Sequence, residues 1–381
     1  MELSISVIPS PVENYLKNDL EIEFPKLENI NKITEVTLPS VSASSLLPIR
    51  PATHSGFLLT GLEKMGCEII SPGFNYTNIQ PGHFTKVNLG DIGLYFLSDP
   101  GGTNSSKSDT AREIAVKVGN EFSFPIGTNF SDFSTVVFSN RLLDFFGIPV
   151  AKMIMTHNPL EHERLNKIIG SEITVALIME KLKAKSLDEL TSNDLEKIKH
   201  SENFFSQMGK LIAIDGFLDN FADRANPQAI FINFANFMVD HDLTTIYAID
   251  NNCDFEDEEI ESNSLDSFLT LTLNKEWFEK IKKKLPDIQQ HKLPFFKGIE
   301  NGINTLLDKL TITENGKRQT NEVVINELMK GYPKIGIDKI LDHSRAQKVK
   351  ENFLIRCSRL IHYFPNETKF DLKSTIKSKK K

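Results

Sequence analysis

The type of hydrophobic pattern changes along the chain, and this change restricts the available folds more than any other feature. From 56 to 180 the apolar runs are short and strand-like, as in HFTKVNL, GLYFLS, EIAVKV, VAKMIM and ITVALIME. One helix is predicted among them in SDFSTVVFSNRLLDFFG, with Ser131 or Asp132 as its cap and Gly147 as its stop. Later apolar stretches have helical spacing, ending in a long helix from about Lys339 to Phe364. This order predicts an α+β fold with two lobes, a small β-rich N-lobe and a larger helical C-lobe.

The boundaries of these parts follow from composition. Segments such as PSPVE and PSVSASS indicate an extended lead-in over 1–55. We place the β-rich lobe at 56–180 and the helical lobe at 181–365, followed by a basic tail at 366–381. The tail ends in KSTIKSKKK and is interpreted as a solvated segment, with binding to an anionic surface or targeting as the alternatives.

Overall charge and cysteine content exclude several classes of protein. A net charge of −7 argues against general nucleic-acid binding, which needs many cations against phosphates. The three cysteines, Cys67, Cys253 and Cys357, are too few and too far apart for a disulfide framework or a four-cysteine zinc site. No apolar run is long enough for a transmembrane segment, and the first residues do not resemble a cleaved signal peptide. These features predict a cytoplasmic protein in a reducing compartment.

Three residues with oxygen-bearing side chains lie at the ends of apolar runs in the second half of the chain. Asp223 lies in ADR, Asn236 precedes FMV, and Asp250 ends IYAID. An acid beside an apolar core is costly unless it is paired, and a metal ion is one such partner. Carboxylate and amide oxygens are the ligands that Mg²⁺ accepts.

Two further features suit a phosphate group. Lys117 lies in IAVKV, the third predicted strand, and the turn GDIG before that strand offers Gly90 and Gly93 for close backbone approach. Phosphoryl transfer from ATP requires a loop that lies over the phosphates and a lysine that contacts them. It also requires an acid that orients the acceptor hydroxyl and oxygen ligands for the metal.

Each of these residues also has a structural interpretation when it is taken alone. Lys117 would then be a solvated strand residue, and GDIG an ordinary turn. Asp223 would pair with Arg224 or Lys210 at the end of a helix, and Asp250 would form a turn before two asparagines.

As a set, in this order, the residues resemble the protein kinase superfamily. MGKLIAIDGFLDNFADR, NFMV and IYAID, preceded by LIMEKLKAKSL, are similar to the actin-fragmin kinase type, whose fold also resembles the phosphoinositide kinases; the resemblance covers about 90–252. It implies Asp223 as the catalytic base and Lys117 as the partner of the ATP phosphates beneath the GDIG turn. It also implies Asn236 and Asp250 as ligands of Mg²⁺ or Mn²⁺. The adenine hinge would comprise Met179, Glu180, Lys181 and Leu182.

The chain departs from the kinase pattern at several positions. The usual spacing places the metal-binding asparagine at Gln228, so Asn236 requires an insertion and Asn233 remains an alternative. IDNN replaces D-F-G, and neither H-R-D nor A-P-E is present. The helix after Lys117 should supply an acid that pairs with it, but the nearest one, Asp132, lies about one turn early.

The resemblance implies an atypical ATP-dependent Ser/Thr kinase acting on a protein substrate. The alternatives are a phosphoinositide or small-molecule kinase, and a pseudokinase adaptor that binds polyphosphate or membrane. The same resemblance suggests an effector delivered by a bacterium into the host cell cytoplasm.

The last helix carries a second signal. Val349, Phe353, Cys357, Leu360 and Phe364 form an apolar stripe, and beside it four cations share an arc: Arg345, Lys348, Arg356 and Arg359. Four like charges on one strip repel each other unless an anion binds there. One interpretation is a solvated helix face; the other is a site for an inositol polyphosphate or a phosphoinositide head group, acting as an activator.

Overall fold

The structure is a computed structural model, and it describes part of the chain. The described residues are 84–87, 93–98, 113–119, 130–156, 163, 166–167, 175–218, 224–226, 231–251, 253, 282–283, 291–330 and 339–364. The predicted lead-in and tail lie outside these residues, as do Cys67, Gly90, Asp223 and Gln228.

The N-terminal half forms a five-stranded antiparallel sheet with the spatial order β1-β2-β3-β5-β4. Its strands are β1 (Phe84–Val87), β2 (Gly93–Ser98), β3 (Glu113–Gly119), β4 (Met153–Thr156) and β5 (Val175–Glu180). Residues 114–116 of β3 and 176–178 of β5 are all buried, so these two neighbouring inner strands are covered on both faces. This explains why their sequences are continuous apolar runs and not alternating ones.

Helix α1 (Phe130–Phe145) connects β3 to β4 and ends as predicted at Gly147. Gly147 has a φ of 72°, in the left-handed region that favours glycine. Its amide donates to the carbonyl oxygen of Asp144 at 2.8 Å, and the amide of Ile148 donates to that of Leu143 at 2.9 Å. These two bonds form a Schellman motif, which satisfies the last carbonyls of the helix.

The remaining elements are mainly helical, with short antiparallel strand pairs. The helices are α2 (Ser192–Ile198), α3 (Glu202–Leu218), α4 (Lys292–Leu310), α5 (Glu322–Lys330) and α6 (Lys339–Tyr363). The strands are β6 (Ala184–Ser186), β7 (Ala225–Asn226), β8 (Phe231–Ile232), β9 (Phe237–Asp240), β10 (Ile246–Ala248), β11 (Thr311–Glu314) and β12 (Lys317–Thr320). Mixed helices and small antiparallel sheets confirm the α+β class for the described part of the chain. None of the helices described is long and apolar enough to cross a membrane.

Two lysines from the helical part hold the C-terminus of α1. Lys210 of α3 donates to the carbonyl oxygen of Gly147 at 3.1 Å, and Lys309 of α4 donates to that of Phe145. Cations are favourable at this end of a helix because its carbonyl groups carry partial negative charge. Burial, together with the nearby charge of Lys309, lowers the pKa of Lys210.

Helices α3 and α4 approach each other closely at glycines. A Cβ atom added at Gly209 would lie 2.0 Å from the carbonyl oxygen of Phe295, and one at Gly298 would lie 1.9 Å from that of Ser206. Both distances are far below van der Waals contact, and each involves backbone, which cannot rotate away. The close approach therefore depends on the absence of side chains at these two positions.

We expect Gly209→Ala and Gly298→Ala each to lower the free energy of unfolding by about 3 kcal/mol or more, because the helices must separate. Asn301→Ala, at an exposed position of α4, is the control and should change stability by less than about 0.5 kcal/mol. Urea denaturation measures all three. A glycine variant as stable as the control would contradict the close packing.

The start of α2 carries a buried carboxylate in a capping box. Asp194 accepts hydrogen bonds from the amide and the hydroxyl of Thr191 at 3.0 and 2.8 Å, and from Lys185 at 3.2 Å. The bonds with Thr191, the largest effect, and the nearby Lys185 lower the pKa of Asp194 to about 2.

Since the folded-state pKa of Asp194 is depressed below the ordinary value of 3.8, its stabilisation is present above about pH 4 and lost as pH falls towards 2. We expect the urea midpoint of the wild type to fall more steeply over this range than that of Asp194→Asn. Thr191→Val, which retains the amide donor, should have an intermediate slope. Parallel curves for the wild type and Asp194→Asn would refute this assignment.

Candidate functional site

The structure brings together two of the predicted site residues. Nζ of Lys117, on β3, donates to Oδ1 of Asp250 at 3.0 Å, although 133 positions separate them in sequence. The Lys117 side chain is 18% exposed and that of Asp250 is 50% exposed. A pair this open to solvent contributes little to stability, so its importance lies in the placement of the two groups. The sequence had left the partner of Lys117 open, and Asp250 is one partner.

The backbone of Asp250 has an unusual conformation. Its φ is 52°, in the left-handed region, which costs most L-residues about 1–2 kcal/mol and which aspartate tolerates better than most. Asp250 comes two residues after β10, so the chain turns sharply as it leaves the strand. This turn directs the carboxylate towards β3 of the larger sheet.

Asn236 lies beside this turn. It ends a 3₁₀ helix (Phe234–Asn236), its side chain is buried, and its carbonyl oxygen accepts from the amide of Ile249 at 3.2 Å. Because Ile249 is next to Asp250 in the chain, Asn236 and Asp250 are close neighbours. Asn233 instead caps the 3₁₀ helix, with its side-chain oxygen 3.1 Å from the amide of Ala235. The geometry therefore favours Asn236 over Asn233 as the companion of Asp250.

Arg224 organises the backbone around these residues. Its side chain is fully buried and forms a two-point ion pair with Asp215 of α3, with N···O distances of 2.6 and 3.0 Å. It also donates to the carbonyl oxygens of Asn236 at 3.3 Å and Ile249 at 2.8 Å, and to Oδ1 of Asn251 at 2.6 Å. One buried cation thus fixes the chain on both sides of the candidate site.

The network extends from Asn251 to helix α1. Nδ2 of Asn251 donates to Oδ1 of Asn140 at 2.8 Å, and Nδ2 of Asn140 donates to the carbonyl oxygen of Ala151 at 2.8 Å. One residue before Asn140, the hydroxyl of Ser139 accepts from the amide of Cys253 at 2.8 Å. The middle of α1 therefore holds the segment that follows Asp250.

Asp215, Asn251 and Asn140 were not predicted as site residues from the sequence. One available signal was the acid of LIAIDGFL, because a carboxylate inside an apolar helix needs a buried partner. Arg224 was considered only as a partner for Asp223, and its ion pair with Asp215 was not predicted. No local pattern indicated the pairing of Asn140 with Asn251, which lie 111 positions apart.

The predicted hinge residues leave the end of β5. The amide of Glu180 donates to the carbonyl oxygen of Lys152 at 2.8 Å, which pairs the strand with the start of β4. Lys181 forms an ion pair with Glu113 at 2.6 Å and lies over the ring of Phe96. Met179 lies within β5, one residue before its end, and Leu182 lies in the short connection from β5 to β6. Gly93, the last residue of GDIG, begins β2.

The prediction that Arg356 lies on a basic strip of α6 is wrong. Its side chain is buried, and Nη1 donates to the carbonyl oxygens of Phe217 and Leu218 at the end of α3. Arg356 therefore caps a helix and does not lie on an anion-binding surface. Lys348 and Arg359 are partly exposed, and the side chain of Arg345 lies outside the description. The apolar stripe is confirmed, since Val349, Phe353, Cys357 and Leu360 are buried and Phe364 packs against the core.

The thiol of Cys253 is buried close to the site. Burial raises its pKa to about 12, so it remains a neutral thiol. Both cysteines in the described part of the chain, Cys253 and Cys357, are free.

No family model matches the chain, and no curated protein matches it. Among the described residues there is no group of three or more His, Cys, Asp or Glu side chains that could hold a metal ion. Of the predicted metal ligands, Asp250 and Asn236 are both among the described residues, and the carbonyl oxygen of Asn236 accepts from the residue before Asp250. Asp223, one residue before Arg224, lies outside the description.

We expect Arg224→Met and Asp215→Ala each to lower the free energy of unfolding by about 3–5 kcal/mol, because either change leaves a charge buried without its partner. The double variant removes both charges, so it should lose less than the sum of the single losses. Urea denaturation of the four proteins gives the coupling energy. Strictly additive losses would contradict the ion pair.

Proposed function

We propose that this protein transfers a phosphoryl group from ATP to the hydroxyl group of a serine or threonine in a protein substrate. The observation that carries the proposal is the contact between Lys117 and Asp250. Phosphoryl transfer needs a lysine on the phosphates and an acid on the metal within reach of the same nucleotide. These are the two residues that the sequence selected for those roles.

The order of elements supports the same proposal. In protein kinases the phosphate-pairing lysine lies on the third strand and the next helix lies against the site. Here Lys117 is on β3, α1 follows it, and Asn140 of α1 contacts Asn251, the residue after Asp250. In the proposed arrangement the five-stranded sheet is the smaller lobe, the helical part is the larger one, and Met179, Glu180 and Leu182 lie along the adenine.

The residues present fit a divalent cation of the hard type. Mg²⁺ binds nucleotide sites through one or two protein oxygens together with phosphate oxygens, and Mn²⁺ accepts similar ligands. Asp250 and Asn236 would hold the cation, which would supply positive charge against the negative charge of the phosphates. No dedicated all-protein cage is needed for such a site.

The other roles follow from the same assignment. Asp223 would accept the proton of the acceptor hydroxyl, and the buried Arg224 next to it would fix the chain there. Lys117 would move from Asp250 to the ATP phosphates, beneath the turn formed by Gly90 and Gly93. The activator site on α6 is no longer part of the proposal, because Arg356 caps α3.

The test is incubation of the purified protein with γ-labelled ATP, Mn²⁺ or Mg²⁺, and a generic protein acceptor. We expect label in the wild type and a loss of at least about 100-fold in Asp223→Asn and Asp250→Asn, which remove the proposed base and a metal ligand. Asp242→Asn, on the exposed turn between β9 and β10, is the control and should label normally.

Parallel reactions with phosphoinositide vesicles distinguish a lipid kinase from a protein kinase. Label on lipid alone would replace the proposed acceptor and keep the site. Absence of label on every acceptor, with no thermal shift on addition of Mn²⁺ and ATP, would overturn the proposal and favour a pseudokinase adaptor.

A further inference from the structure

We propose that Asn140 and Asn251 are positioning residues through which helix α1 controls cation binding at Asp250. This inference rests on the proposed function, since it assigns a role towards the metal that Asp250 would hold. In this proposal the neutral side-chain amides of Asn140 and Asn251 connect α1 with the site. The two residues touch neither substrate nor cation in this assignment, and they act through the backbone of Asp250.

The direction of every hydrogen bond in this chain of contacts is fixed. A guanidinium group can only donate, so the atom of Asn251 that faces Arg224 must be its oxygen. Its NH₂ group then faces Asn140, which must present its oxygen there and direct its own NH₂ group to Ala151. This series of hydrogen bonds therefore runs from Arg224 to Ala151, just before β4. Donor and acceptor cannot be exchanged at any of its bonds.

Asp250 lies between two anchored neighbours. The carbonyl oxygen of Ile249 accepts from Arg224 at 2.8 Å, and the side chain of Asn251 is held on both sides. The left-handed φ of Asp250 is an intrinsically unfavourable conformation, which persists when the surrounding structure fixes it. Without the bond to Asn140, Asn251 would be held by Arg224 and by its own local bond to the carbonyl oxygen of Ala248.

The hydrogen bond between Asn140 and Asn251 is buried, so we expect its loss to affect the position of Asp250 strongly. Asn140 is 4% exposed and Asn251 is fully buried, so water cannot replace a lost bond at low cost. A shift of α1 would therefore be transmitted to Asp250, and a shift of Asp250 to α1. Residues that orient a metal ligand typically change metal affinity by about 10–100-fold when they are altered.

The experiment measures Mn²⁺ binding directly, by isothermal titration in the presence of a non-hydrolysable ATP analogue and at a temperature where circular dichroism shows every variant folded. We expect Asn140→Ala and Asn251→Ala each to weaken Mn²⁺ binding about tenfold or more. The double alanine variant should lose less affinity than the sum of the two single losses, because the bond between Asn140 and Asn251 is lost in both single variants. Additive effects of the two changes would overturn the pairing.

Conservative variants separate positioning from general loss of packing. Asn140→Asp keeps the oxygen that accepts from Asn251, but it replaces the donor to Ala151 by an oxygen and introduces an acid at a buried position. Mn²⁺ affinity should stay closer to that of the wild type than it does in Asn140→Ala. The Mn²⁺ affinity kept by Asn140→Asp should depend on its bond with Asn251 and not on the added charge. The combination of Asn140→Asp with Asn251→Ala should therefore bind Mn²⁺ as weakly as Asn251→Ala alone. Strong binding by the combined variant would refute the inference.

Gln207→Ala is the matched control. Gln207 of α3 bonds the amide of Ile246 and the carbonyl oxygen of Thr244, at the far end of the strand that leads to Asp250. Its loss should lower the melting temperature without changing Mn²⁺ affinity. Equal loss of affinity in this control would show that any loosening of β10 matters, which would overturn a specific role for α1.

Failure of the inference and failure of the proposed function give different results. If the wild type binds Mn²⁺ with the nucleotide analogue and Asp250→Asn does not, the metal assignment holds. Unchanged affinity in Asn140→Ala would then overturn the inference alone. If the wild type binds no Mn²⁺ under these conditions, both the metal assignment and the inference fail.

Discussion

The buried charge of Arg224 is the constraint on which the rest of the site depends. A guanidinium group remains protonated in a protein, so its full burial is tolerated only when its donors all have partners. Asp215 neutralises the charge, and two carbonyl oxygens and one amide oxygen accept the remaining bonds. These acceptors come from three separate segments of the chain. Folding of the site is therefore coupled to the burial of one side chain.

Helix α1 is attached to this centre at two places. Lys210 and Lys309 hold its C-terminal carbonyl groups, and Ser139 and Asn140 hold the segment that follows Asp250. The two lysines belong to α3 and α4, and the segment that α1 holds follows β10. The C-terminal contacts are charged, whereas those in the middle of the helix are between neutral groups. The neutral contacts contain no titratable group, so a change of pH does not act on them directly.

The strand on or after which a predicted site residue lies was predicted correctly where that residue belongs to a regular local pattern. Lys117 was placed on the third strand by its run of β-branched neighbours, and Asp250 by its position at the end of an apolar strand. The prediction for Arg356 was wrong for a physical reason. A helical wheel gives the angle of a side chain around its own axis, but not the element that packs beside it. At Arg356 that element is the end of α3, whose carbonyl groups need donors.

The sequence by itself determined the elements of the sheet, the end of α1 at Gly147, the apolar stripe of α6 and the α+β class. These follow from contacts between near neighbours, because periodicity and glycine conformation are local properties. Only the tertiary structure decided that Lys117 meets Asp250, that Asp215 neutralises Arg224 and that Asn140 holds Asn251. The last of these pairs lies 111 positions apart in sequence. Such contacts depend on which polar groups become buried together, and that is set when the helices and the sheet pack.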